Sequence, residues 1–385
     1  MKVLAFLSYG NKKEYQWELF LSIFSALKQL RANHETDVMI SVISDRNDFD
    51  PKLPIDHLRF SPEEFAQWTQ SPRGFFNHRA KICALLKALD HYQSPIVYVD
   101  TDTYFLDNPA KLFDRVSAEN TVMHHLECTR IENEPSYPLI IEKIGDGMTI
   151  DEVYLSRASV MFNSGVIGFL PIHRPLLEKA LNLTDELYNI APIFNLEQFS
   201  VSASLNQFTN VSTSDDIVKH YFGPSRRFFH LQSSRLFPDF TAANLEKLLN
   251  ASTSPEVGYP RKSLNDQVMT KLQALVKRWD ADYRFAYLAY RSALSIAPKD
   301  VDYANIWAAI ALCSLKGSIV QGETTQNPMP HLANLQHDFK QLRPDKINDL
   351  AWLKATVKSD WLDFWNQKMT LASEANSKSI QTQVF

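Results

Sequence analysis

The stretch of this 385-residue chain best equipped for chemistry is Ile96-Val97-Tyr98-Val99-Asp100-Thr101-Asp102-Thr103. An apolar run ends there in two carboxylates one residue apart. Pro95 to Val99 reads as a central parallel strand, apolar on both faces. In an open α/β sheet, ligands gather at the carboxyl ends of strands. Carboxylates converging at such an end offer hard oxygen ligands to Mg2+ or Mn2+, and either ion keeps positions open for diphosphate oxygens. The plainer role, an aspartate capping the next turn, is weakened by the placement directly after Tyr98-Val99.

The elements that must position this pair alternate in type. Val3 to Leu7 predicts a first strand closing on Ser8-Tyr9-Gly10. Trp17 to Leu30 predicts a helix, with Phe20, Ile23, Phe24, Leu27 and Leu30 on one face. Val38 to Ile43 is a second β-branched run, ended by Ser44-Asp45-Arg46-Asn47-Asp48. Ala80 to Leu89 is helical, with Ile82, Leu85, Leu86 and Leu89 in phase. Strand and helix in turn predict a three-layer α/β sheet. Ser254 to Pro260 is a turn-rich boundary, and helical patterns follow it. Leu264 to Leu294 fits one or two helices. Leu350, Leu353, Val357, Trp361 and Phe364 mark an amphipathic helix entered through Pro344-Asp345. Five of the seven tryptophans (Trp279, Trp307, Trp352, Trp361, Trp365) lie in this region. They are expected to pack the helices together, with a membrane-surface or acceptor-docking role as the alternative. Ala372 to Phe385 reads as a frayed polar tail.

Composition narrows the classes. Hydrophobic residues make up 45% and charged residues 22%, enough for a globular core. Forty basic against 44 acidic residues leave a net charge of −4, without the positive field of a nucleic-acid binder. No nucleic-acid partner is therefore expected. Cys83, Cys128 and Cys313 form neither a C-x-x-C pair nor a disulfide framework, which fits a reducing compartment. The opening Met1-Lys2-Val3-Leu4-Ala5-Phe6-Leu7 is too short for a signal peptide. The best apolar run, Ile306 to Cys313, falls well short of the roughly 20 residues of a membrane span. A cytoplasmic protein is expected, with peripheral membrane contact left open. The 10 glycines form no G-x-G-x-x-G, and the P-loop, H-E-x-x-H and G-x-S-x-G patterns are absent as well. His124-His125 reads as structural or pocket-lining.

Two chemistries use an acidic pair after a strand. Haloacid-dehalogenase-type phosphatases follow the pair with Gly-Thr on the first strand. Here Thr103-Tyr104 stands in that place, on an interior strand. The other chemistry is nucleotide-sugar transfer. Arg79-Ala80-Lys81-Ile82, Asp100-Thr101-Asp102-Thr103-Tyr104-Phe105-Leu106, Met161-Phe162-Asn163-Ser164-Gly165-Val166 and His220-Tyr221-Phe222-Gly223-Pro224-Ser225-Arg226 occur in that order. With these four landmarks the sequence resembles a GT-A-fold glycosyltransferase, most closely the family 8 type that includes glycogenin and bacterial lipopolysaccharide galactosyltransferases. The resemblance covers roughly residues 1 to 235. It implies an α/β fold with a GT-A-like (Rossmann-like) mixed sheet flanked by helices, followed here by a helical C-terminal region.

On this resemblance, Asp100, Asp102 and His220 hold Mn2+ or Mg2+, the imidazole nitrogen shifting the preference towards Mn2+. Arg226, standing where the family typically has Lys, pairs with phosphate oxygens and stabilises the leaving diphosphate. Arg227 is the fallback, and Gly223 lets backbone approach the ligand. Lys81, Thr101, Asn163 and Ser164 fall at donor-binding positions. Ser8, Tyr9 and Asp45 end the first two strands, where the uridine base would lie. Asn163 and Gln198 position the sugar. One departure stands out. The family has Asp-Gln followed by Leu-Asn, and this chain has Glu197-Gln198 followed by Phe199-Ser200-Val201-Ser202. Glu197 is then either a base for an incoming hydroxyl or an acceptor holding the sugar, and retention and inversion both stay open.

The expectation is a transferase domain over residues 1–250 and a helical region over residues 251–385. The enzyme would move a hexose from a nucleoside-diphosphate sugar, UDP-linked above all, to a glycan or other hydroxyl acceptor. A metal-dependent phosphatase or phosphotransferase using the Asp pair, and a nucleotide-sugar-binding protein without turnover, are the alternatives.

Overall fold

The computed structural model describes residues 1–237, 239–253, 257–258, 260, 262–324 and 332–382. The chain divides into two compact units: Met1–Phe222 with Gln232–Val257, and Gly223–Leu231 with Gly258–Phe385. The turn-rich boundary expected at 254–260 falls partly outside the described residues, at 254–256 and 259.

The first unit is built on a seven-stranded sheet. Its strands are β1 (Lys2–Ser8), β2 (Val38–Ser44), β3 (Asp56–Arg59), β4 (Ile96–Val99), β6 (Asn120–Met123), β7 (Val166–Phe169) and β8 (Asn210–Ser212). A two-stranded ladder of β5 (Thr103–Phe105) and β9 (Val218–His220) stands beside it. The spatial order is β8-β6-β7-β4-β1-β2-β3. β1 runs parallel to β2 and β4, while β7 runs antiparallel to both β4 and β6. The mixed sheet flanked by helices is therefore what the molecule has.

Strand alternation sorts the side chains by face. Val3, Ala5 and Leu7 of β1 share a fully packed cluster with Ile82, Leu85 and Leu89 of α2 (Arg79–Tyr92), Leu177 of α3 (Arg174–Ile190) and Val201 of α4 (Leu196–Phe208). Leu4 and Phe6, pointing the other way, are completely buried as well. A strand buried on both faces reads as an unbroken apolar run, which is how β1 and β4 are written. α1 (Lys13–Ala32) lies against β1 and β5.

The second unit is helical. Leu264–Leu294 is resolved into two helices, α5 (Leu264–Lys277) and α6 (Ala281–Ile296). Arg278, with φ 54°, ends the first, and the Asp280 carboxylate accepts from Tyr283 N–H at 2.8 Å to start the second. α7 (Val301–Thr324), a short helix at Leu332–Asp338 and α8 (Ala355–Thr382) follow. Tyr283, Tyr290, Trp307, Phe339, Trp361 and Trp365 form its core. The Trp361 and Trp365 indoles donate to the carbonyls of Ala308 and Leu342 at 3.1 and 2.7 Å, so these aromatics are core with satisfied polar edges.

Two expectations need correction here. The last helix is not entered through Pro344-Asp345 but begins at Ala355, after a 3-10 turn at Ile347–Asp349. Buried Asn305 of α7 explains the late start. It accepts from Lys354 N–H at 2.7 Å and donates to Trp352 C=O at 2.9 Å, holding this backbone in a turn. The same helix runs on to Thr382, where composition predicts a frayed tail; residues 383–385 lie outside the described ones. No helix among the described residues is long and apolar enough to cross a membrane.

Candidate metal centre

β1, β2 and β4 are parallel, so Ser8, Asp45 and Asp100 all emerge at one edge of the sheet. β7 is antiparallel to β4 with Val166 opposite Val99, so the segment entering β7 reaches that same edge. Asn163-Ser164-Gly165 is thereby set beside Asp100, whose N–H donates to Gly165 C=O at 2.8 Å.

His220 arrives from far along the chain. In the β5–β9 ladder it pairs with Thr103, the residue after Asp102. The strand that carries it is held from behind by His124, which directly follows β6 and is 5% exposed. His124 Nε2–H donates to Val218 C=O at 3.0 Å. Burial above all pushes this imidazole down to about 4, so it is neutral, with a lone pair on Nδ1. His125 Nδ1–H donates to that lone pair at 2.7 Å.

Asp100, Asp102 and His220 each bring one ligand atom into a group spanning no more than 4.8 Å. Opposite ligands of a cation bound at about 2.1 Å lie about 4.2 Å apart, so the trio needs to close only slightly. His220 Nε2 is 3.1 Å from Asp102 Oδ1, and its Nδ1–H faces Asn163 Oδ1 at 3.2 Å. With Nδ1 donating, Nε2 is the ring nitrogen turned to the carboxylates and available to a cation there. A metal-binding histidine normally has its other nitrogen engaged in this way. The residues present fit a hard divalent cation.

Gly165 makes room for the ring. A Cβ built there would sit 2.5 Å from His220 Nδ1, 2.6 Å from its Cε1 and 2.9 Å from Asn163 Oδ1. Gly165→Ala is therefore expected to displace the imidazole, costing about 1–3 kcal/mol of stability. It should weaken Mn2+ binding by about tenfold or more, the usual effect of disturbing a ligand's support. Calorimetric titration with Mn2+, beside a thermal melt, measures both.

A second cluster adjoins the first. Lys81, in the first turn of α2, lies 3.2 Å from the Asp100 carboxylate and 2.8 Å from Glu197 Oε1. It also donates to Ser164 Oγ at 3.0 Å, and Ser164 in turn donates to Glu197 at 2.8 Å. Burial opposes the charge on Lys81, but the Asp100 and Glu197 carboxylates outweigh it and hold the ammonium above its usual range. Burial likewise pulls Glu197 upward. Lys81, then His78, more than reverse this and keep Glu197 below the usual carboxylate range. Tyr98, two residues before Asp100 and so on the same side of the strand, donates to Asp100 Oδ1 at 2.5 Å.

Gln198 accepts from Ser164 N–H at 3.2 Å and donates to Glu127 Oε2 at 2.6 Å. Asn163 donates to the same Glu127 oxygen at 3.3 Å. Glu127 is thus a member of the site that sequence reasoning missed. Its signal was position, four residues beyond the end of a sheet strand at the ligand-bearing edge. Tyr98 was legible in the same way, as a polar-tipped residue on a strand end.

The remaining candidates are more dispersed. The Tyr9 ring packs on Phe65 at 4.7 Å between centroids, and burial raises its hydroxyl pKa against a hydrogen bond with Asn77. Ser8 is buried. Asp45 is exposed and accepts from Gly10 N–H at 3.4 Å. Thr101 turns to α1, where its hydroxyl lies 3.5 Å from the buried Glu18 carboxylate. Gly223 and Arg226 belong to the second unit. Gly223 is exposed with φ 77°, and half-buried Arg226 opens the helix Arg226–Leu236.

No protein-family model and no curated protein sequence matches this chain. Among solved structures it is similar to the galactosyltransferase LgtC in complex with donor and acceptor sugar analogs, at 14% identity and a TM-score of 0.39, over 66% of this chain and 96% of that one. It is similar also to an active-site mutant of LgtC, at 14% identity and a TM-score of 0.40, over 67% and 98%.

Proposed function

We propose that this chain transfers a hexose from a nucleoside-diphosphate sugar, UDP-linked above all, to a hydroxyl of a glycan or other acceptor. One observation carries the reading: two carboxylates and an imidazole meet within 4.8 Å at the carboxyl end of the central strands. The order of the four sequence landmarks supports it.

Asp100, Asp102 and His220 would hold Mn2+ or Mg2+, which supplies a Lewis acid for the diphosphate. Lys81 fixes Asp100 against Glu197, so the carboxylate is already in place before a ligand arrives. Arg226 takes the leaving diphosphate, which a guanidinium can grip with two parallel hydrogen bonds. Gln198 and Asn163, tied together through Glu127, present the amides that orient the sugar. Glu197 is held as a weakly basic carboxylate, a better acceptor for a sugar hydroxyl than a proton abstractor. Ser8, Tyr9 and Asp45 take the base, and Thr101, Ser164 and Gly223 line the donor. Residues 1–250 would form the transferase domain, with the helical region 251–385 appended.

The test is release of UDP from UDP-sugars by the purified chain with Mn2+. Metal-dependent release that chelation stops is expected. Mn2+-dependent binding of UDP without release across donors and acceptors would assign a binding protein instead. The absence of both binding and release would sink the proposal.

A further inference from the structure

α5 packs one side inward and leaves an apolar stripe uncovered on the other. Asp266, Thr270 and Ala274 face inward and are buried. On the other side Leu264, Val268, Leu272, Leu275 and Val276 are all exposed, with Leu264 at 76%, Leu275 at 78% and Val276 at 84%. At about 100° per residue the first four share an arc of about 80°, and Val276 extends it. Five neighbouring aliphatic side chains left in water are not the scattered apolar residues of an ordinary surface.

The exposed charged residues of this helix carry one sign. Lys271, Lys277 and Arg278 are exposed, and the only carboxylate of the helix, Asp266, is buried and bound by Arg291 and Ser295. Lys271 and Arg278 make no ion pair among the described residues. The helix also walls a cavity of about 490 Å³ with Leu272 and Val276. Two of the cations lining it, Arg291 and Lys277, are already answered by Asp266 and Asp338.

We propose that this face of α5 docks the protein on an anionic lipid bilayer, the aliphatic stripe entering the headgroup boundary and Lys271 and Arg278 meeting lipid phosphates. An apolar stripe whose charged flank, Lys271 and Arg278, is basic is the pattern of an interfacial helix, and charge complementarity selects an anionic surface. The proposal is independent of the sugar-transfer reading.

Co-sedimentation of the full chain with vesicles tests it. Binding is expected to vesicles of phosphatidylcholine mixed with phosphatidylglycerol, and to be about tenfold weaker to phosphatidylcholine alone. The double variant Leu275→Glu, Val276→Glu should lose at least about tenfold in binding with an unchanged melt, since both side chains stand in water. Lys271→Glu with Arg278→Glu should abolish the preference for phosphatidylglycerol. Failure to bind either vesicle overturns the proposal. So does wild-type binding by the double variant, or a dimer in sedimentation equilibrium that the double variant dissolves.

Discussion

Asp102→Asn is expected to reduce UDP release by about a thousandfold or more while the fold survives. A thousandfold is about 4 kcal/mol of transition-state stabilisation, the scale on which a bound cation acts on a charged leaving group. The substitution keeps the shape of a side chain that is 8% exposed. It exchanges an anionic ligand for an amide that can donate to His220 Nε2, now 3.1 Å from Asp102 Oδ1. The amide hydrogen bond would then occupy the lone pair a cation needs. A Mn2+ titration beside the UDP assay and a thermal melt separates loss of metal from loss of fold. Activity at the wild-type level would remove the metal assignment.

Lys81→Met is expected to have the largest effect on stability, about 3–5 kcal/mol at neutral pH. That is the usual result of deleting one partner of a buried ion pair and leaving the other charged. Glu197 is 2% exposed, and Lys81 is what keeps it ionised. The pH dependence gives the cause away. In the wild type the depressed Glu197 contributes stability above the ordinary carboxylate range, and that contribution fades as pH falls through its folded value. Lys81, raised in the fold, contributes below the ordinary lysine range and loses its share only as pH climbs beyond it. Without Lys81, burial is opposed only by His78 and the Ser164 hydroxyl, so Glu197 is lifted relative to the wild type and the variant weakens as pH rises through that lifted value. The gap between the two proteins should therefore be wide at pH about 7 and narrow towards pH about 4. Urea unfolding of both proteins across this window measures it. A gap that ignores pH would show that Lys81 matters through packing alone.

What could be read from the sequence was whatever is written in unbroken local pattern. Val3–Leu7 and Ile96–Val99 are apolar at every position because both faces of their strands are covered. The acidic pair stood out because carboxylates directly after such a run have no packing reason to be there. Glu127 and the supporting role of His124 were hidden for the opposite reason. Each acts through a partner distant in sequence, Gln198 for Glu127 and Val218 for His124, and no local period announces such a meeting. The late start of α8 was hidden likewise, because Leu350 and Leu353 keep a helical spacing while Asn305, from another helix, holds the turn that contains them. The break between α5 and α6 rests on one residue, Arg278, in a left-handed conformation that its type does not advertise.

The short ladder that delivers His220 bears on the order of events in folding. Asp102 and the imidazole facing it are 118 residues apart in the chain, and β7, which brings in Gly165 and Asn163, lies between them. Closing so long a loop comes after local helices and hairpins have formed. The trio of Asp100, Asp102 and His220 is therefore among the last features a nascent chain can complete, and an incompletely folded molecule does not bring these three side chains together.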